Sequence, residues 1–212
     1  MHYYNIHTHR QTTNPDITAI VSVEAGSTDL SDYAYCSVGI HPRHTNMTGF
    51  SDLEAAAKHP HVVAIGETGL DKLASTPLEQ QEKLFITHIE LAGKLRKPLI
   101  IHCVKAWPEL IRIRKQYVSG IPWIIHGFRG NGELAHQLLQ FGFYLSFGIH
   151  FHPDALRIAW ETHRLYAETD DLNISIIEVY RRITAQLTIT AEALSHEIHE
   201  NLQSWPNGRE FC

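Results

Sequence analysis

The sequence predicts an α/β protein folded as an eight-stranded parallel (β/α)8 barrel whose first two crossover helices are trimmed or missing. Three observations predict it. Eight short runs rich in β-branched or aromatic residues recur at 2–7, 18–24, 34–39, 62–66, 98–102, 122–126, 142–147 and 164–168, the number a closed barrel needs. Helix-patterned segments follow most of them. Side chains able to bind a metal stand where several runs give out, and a barrel gathers its chemistry at the C-terminal ends of its strands.

Each helix has its own signal. Residues 77–96 open with Thr76 as N-cap, Pro77 at the first helical position and Glu79 completing a capping box. Phe85, Ile89 and Ala92 then recur at helical spacing and give a core-facing stripe. Further helices are expected at 51–58, 106–118, 131–141, 153–161, 174–186 and 191–204, the last with Leu194, Ile198 and Leu202 in line. The connections at 10–17 and 25–33 are too short for a crossover helix. One wall of the barrel should therefore be thinly covered, which would favour a homodimer contact through it or an atypical packing arrangement.

Composition sets outer limits. A chain of 212 residues is expected to form a single domain over 1–212, though it is short for a barrel of about 250 residues. Cys36, Cys103 and Cys212 are odd in number and scattered, which argues against a disulfide framework and suits a reducing, cytoplasmic setting. The start lacks a basic segment followed by an apolar one, so no signal peptide is expected, and no apolar run is long enough to span a membrane. A formal charge of −5 gives no electrostatic footprint for gripping a long nucleic acid, although bound cations would add local positive charge.

Histidine is abundant, 16 of 212 residues, so an isolated H-x-H means little. Two others occur, His59-Pro60-His61 in an expected solvated loop and His150-Phe151-His152 after the seventh run. In His7-Thr8-His9 strand alternation sends both imidazoles to one face. Glu67 follows VVAIG between Gly66 and Gly69, His102 ends PLIIH, His126 ends WIIH, and Asp170 closes ETD. Singly, each would pass for a core histidine or a surface acid. Together, four imidazoles and two carboxylates at five strand ends point to a divalent metal site, and so to a metal-dependent hydrolase.

The ordered motifs His7-Thr8-His9, GIHP (39–42), IGETGLD (65–71), PLIIHC (98–103), HGFRGN (126–131), YLSFG (144–148) and ETD (168–170) resemble the TatD-like metal-dependent hydrolases. The resemblance implies a TIM-type barrel holding one to three divalent ions, Zn, Mn or Mg. It implies Glu67 bridging two ions, with His7, His9 and Asp170 at one and His102 and His126 at the other. It further implies hydrolysis of phosphodiester bonds, DNA being the expected substrate, with Asp170 accepting the proton of the attacking water. His41 and Arg129 are the expected phosphate contacts, the arginine fork suiting phosphate. The chain departs from the family at Asn5, where an aspartate is common, and at Val104 and Lys105, where an arginine and an acidic residue usually follow the fifth-strand histidine.

Other features are discounted. His196-Glu197-Ile198-His199-Glu200 places its second histidine one residue short of H-E-x-x-H spacing. Ser37 and Ser146 are not in a G-x-S-x-G elbow. Trp107, Trp123, Trp160 and Trp205 are dispersed, as packing residues would be. Two rival readings remain: an amidohydrolase-like enzyme cleaving C–N or ester bonds, and a metal-binding barrel without turnover.

Overall fold

Eight parallel strands lie side by side in chain order in the computed structural model, whose described residues are 1–26, 29–44, 50–118 and 120–206 (for Phe50 and Ser51, the backbone alone). The strands are β1 (Tyr3–Thr8), β2 (Ile17–Glu24), β3 (Tyr35–Gly39), β4 (Val62–Asp71), β5 (Leu99–Val104), β6 (Trp123–Ile125), β7 (Phe143–Phe147) and β8 (Leu165–Ala167). The helices are α1 (Phe50–Ala56), α2 (Leu78–Leu95), α3 (Trp107–Gln116), α4 (Gly132–Gln140), α5 (Pro153–Glu161), α6 (Ile176–Leu187) and α7 (Ala191–Gln203). Each run of sequence expected as a strand or helix thus forms that element. Cys212 lies outside the described residues.

The barrel is nearly closed. Its seam joins β1 to the residues just after β8, where His9 N donates to Asp170 O and Asp170 N donates to His7 O, both at 3.1 Å. Asn5 clasps the same seam from inside. Its Nδ2 donates to Thr169 Oγ1 at 2.8 Å, and its Oδ1 accepts from Thr169 N at 3.1 Å. Asn5 is therefore a buried structural clasp that holds together the ends of β1 and β8.

Both early connections lack an α-helix among the described residues; a single 3-10 turn, Leu30–Asp32, lies between β2 and β3. The outer wall there carries a shallow cavity of about 230 Å3 with Ile17, Tyr33 and Tyr35 on its rim. Elsewhere the helices seal the barrel. Leu194, Ile198 and Leu202 of α7 are fully buried, as the periodicity predicts, and so are Val179 and Ile183 of α6. Side-chain caps begin α4, α6 and α7 at Asn131, Ser175 and Thr190, each worth about 1 kcal/mol. The described tryptophans pack, Trp123 fully buried against Phe85 and Phe143. No helix among the described residues is long and apolar enough to cross a membrane.

Two local expectations are corrected. The first turn of α2 has no capping box: the helix starts one residue later, with Pro77 at the cap position and no side-chain cap bond. Glu79 instead accepts from Lys83, and Gln81 does the tying, its amide donating to the Thr76 and Asp71 carbonyls. Second, β4 does not end at Glu67 but runs to Asp71, buried at all ten positions. Gly66 and Gly69 let the strand lie close against β5. An added Cβ would strike the carbonyl oxygens of Ile100 and His102, and φ is +144° at both glycines. The pairing register shifts between Ile65 and Thr68, and this bulge carries Glu67.

Candidate metal centre

Glu67 sits among five imidazoles. Its Oε2 lies 3.5 Å from His7 Nε2 and 3.7 Å from His9 Nε2, and the same two nitrogens lie 3.5 and 3.6 Å from Asp170 Oδ1. Ligand atoms about 2.1 Å from a tetrahedral cation stand about 3.4 Å apart. Each of these pairs is therefore too far apart for a good hydrogen bond and at ligand spacing, and His7, His9 and Asp170 together could hold an ion. His7 Nε2 is buried with no hydrogen-bond partner among the described residues, as a nitrogen held for a metal should be.

The other oxygen of Glu67 faces a second set. Oε1 lies 2.8 Å from His126 Nε2, 2.9 Å from His102 Nδ1 and 3.2 Å from His41 Nε2. Ligands at right angles around a cation would be about 3.0 Å apart. One carboxylate thus faces two cradles with its two oxygens, the arrangement of a bridging ligand. His126, Glu168 and Asp170 form a further grouping close enough to hold an ion.

Electrostatics bind the cluster together. Burial works against the charged form of Glu67, but His126 and the other imidazoles outweigh it and hold its pKa far below the usual carboxylate range. Asp170 is lowered in the same way, burial being overcome by His7 and His9. For His126 burial also opposes charge, and the Glu67 and Glu168 carboxylates override it, raising its pKa well above normal. His7 is likewise raised: burial and His126 oppose, Asp170 and Glu67 prevail. Without cations, the carboxylates favour the protonated forms of His7 and His126; incoming metal would displace those protons.

Two orienting carboxylates were not singled out in the sequence. Glu168 Oε1 lies 3.4 Å from His126 Nδ1 and accepts from Gly127 N at 2.7 Å. Asp71 Oδ2 lies 3.4 Å from His102 Nε2. Each meets the ring nitrogen that faces away from Glu67, and such partners fix ring orientation and raise ligand basicity. The buried His88 supports the next imidazole: its Nε2 accepts from Ile40 N at 3.0 Å and its Nδ1 donates to Leu84 O, which seats the backbone just before His41. Burial pushes the His88 pKa down to about 4.

All six expected ligands converge at one mouth, and His41 joins them. The cavity above is about 490 Å3, lined by His9, His41, Glu67, His102, His126 and Asp170 among others. Arg129 does not line it; it is exposed on the loop after Gly127, where φ is +58° and the chain turns. Arg43, unremarked in the sequence, does line it. His150 and His152 lie outside the cavity, and His152 caps α5.

Comparison with known proteins agrees with this geometry. The family model described as TatD related DNase matches residues 7–204. An uncharacterized metal-dependent hydrolase, YcfH, of Escherichia coli K12 is 38% identical over 120 residues, covering 55% of this chain and 45% of the relative. A 3'-5' ssDNA/RNA exonuclease TatD of Edwardsiella piscicida is 33% identical over 120 residues, covering 54% and 46%. Each match thus spans less than half of the relative's own length. The crystal structure of a TatD family hydrolase from Entamoeba histolytica superposes with a TM-score of 0.74 at 16% identity, covering 97% of this chain and 98% of that one, and shares the fold. The chain belongs to the TatD-related family of metal-dependent hydrolases.

Proposed function

We propose that the chain is a divalent-metal-dependent phosphodiesterase acting on nucleic acid, with DNA as its principal substrate. The observation that carries the proposal is Glu67, whose two oxygens face separate imidazole sets at metal-ligand spacing. Relatives described as nucleases support the substrate class. In this reading His7, His9, Asp170 and Glu67 would hold one ion, and Glu67, His102 and His126 would hold the other. One to three ions of Zn, Mn or Mg fit, the imidazoles favouring Zn or Mn. When bound, such ions lower the pKa of a coordinated water toward neutrality and offset charge on a transferring phosphoryl group.

The chain's own residues do the rest. Asp170 is partly open to the cavity, so its position would let it take the proton that the nucleophile sheds. Glu67 keeps the two cradles in register. His41 meets the scissile phosphate from the side of the second set. Glu168 and Asp71 hold the His126 and His102 rings in place. A substrate panel with added Mn, Zn or Mg tests the proposal: nucleotide release from a single-stranded oligonucleotide, lost in Asp170→Asn, supports it. Release of ammonia or carboxylic acid instead would favour a C–N or ester hydrolase. Inactivity toward every substrate in the presence of tightly bound metal would favour a non-catalytic barrel.

A further inference from the structure

We propose that Arg43, on the loop after β3, is the residue that grips a substrate phosphate beside the metal cradle. The assignment rests on the phosphodiester reading above. Lys105, the nearest cation after the fifth-strand His102, does not line the cavity. Among the described residues around the cavity, Arg43 is the single lysine or arginine; Glu24, Glu67, Asp170 and Asp171 are all acidic. An anionic substrate entering there has one permanently cationic side chain to meet among the described residues.

The side chain is also anchored for the task. Arg43 Nε donates to Asp71 Oδ2 at 2.8 Å, and that oxygen lies 3.4 Å from His102 Nε2. Asp71 is fully buried and fixed in turn: its Oδ1 accepts from Leu73 N, and its backbone N–H donates to Gln81 Oε1. The Arg43 side chain nevertheless remains 55% exposed. Its bond to Asp71 uses Nε alone, and the residue lines the cavity. A guanidinium held at Nε presents two parallel donors, the geometry that phosphate oxygens accept. Because one carboxylate touches both Arg43 and His102, phosphate gripped by the arginine lies near the second imidazole set.

The competing view is that Arg43 only neutralises Asp71. The two differ in what Arg43→Gln changes. On the manganese-loaded protein, inorganic phosphate binding by calorimetry and KM for a single-stranded oligonucleotide should each worsen by about 10- to 100-fold, with kcat within a few-fold and metal content unchanged. Arg43→Lys should fall between, keeping charge without the fork, and Lys105→Ala should match the parent. If Arg43→Gln lowers thermal stability but leaves phosphate affinity and KM at parent values, or if Lys105→Ala is the variant that loses phosphate, the assignment is overturned. A parent protein that neither binds phosphate nor cleaves any phosphoester overturns the underlying phosphodiester reading, and the assignment with it.

Discussion

Replacing His88 by leucine should make stability less sensitive to acid while weakening the protein at neutral pH. His88 is wholly buried, and its neutral form is fixed by two bonds: Nδ1 donates to Leu84 O, and Nε2 accepts from Ile40 N. A second proton would displace the Ile40 bond and place a charge in the core, which is why its pKa falls from 6.5 to about 4. Between those values the unfolded chain binds the proton and the folded chain does not. This contribution to stability is therefore complete above the unfolded pKa and drains away as pH falls toward the folded one. From about pH 7.5 to about pH 4.5 the loss is roughly 2.5 kcal/mol. Leucine cannot titrate, but it leaves the Ile40 N–H without an acceptor, at about 1–3 kcal/mol. Urea denaturation of parent and His88→Leu should show the parent ahead at neutral pH and the gap narrowing by about 2.5 kcal/mol on acidification. Other titrating groups affect both proteins and cancel in the difference. A gap that stays constant across this range would refute the reasoning.

Glu168→Gln removes the charge behind His126 and should weaken metal binding by about 10- to 100-fold, read by chelator competition; unchanged affinity would deny Glu168 an orienting role. Tyr180→Phe takes away the hydroxyl that accepts from buried Tyr4 N at 3.0 Å and should cost about 1–3 kcal/mol in urea denaturation, whereas no loss would mean that another group satisfies this amide.

The barrel was legible because its strands are short, separated and β-branched, and because α6 and α7 carry clean apolar stripes. The missing early helices followed from connection length alone. The second half of β4 was not legible, since GETGLD contains the residues that usually end a strand; only contact with β5 explains why glycine is needed there. The six ligands could be read because strand ends of a barrel converge by topology. His41 was read as a phosphate contact, yet its distance to Glu67 belongs to three dimensions. Arg129 and Arg43 show the same limit in opposite directions. Both follow a recognisable motif, but the turn at Gly127 leaves Arg129 exposed off the cavity, while buried Asp71 draws Arg43 toward it. A loop side chain is placed by its partner, and the partner lies elsewhere in the sequence.

The central claim is that one carboxylate serves two ions. Calorimetric titration of metal-free protein with zinc or manganese, with the released protons measured in buffers of different ionisation enthalpy, tests it most directly. The account predicts at least two ions bound by the parent with proton release from the imidazoles, weakening of one site alone in Asp170→Asn, and loss of tight binding at both in Glu67→Gln. A Glu67→Gln protein that keeps the parent's stoichiometry and affinity would contradict it.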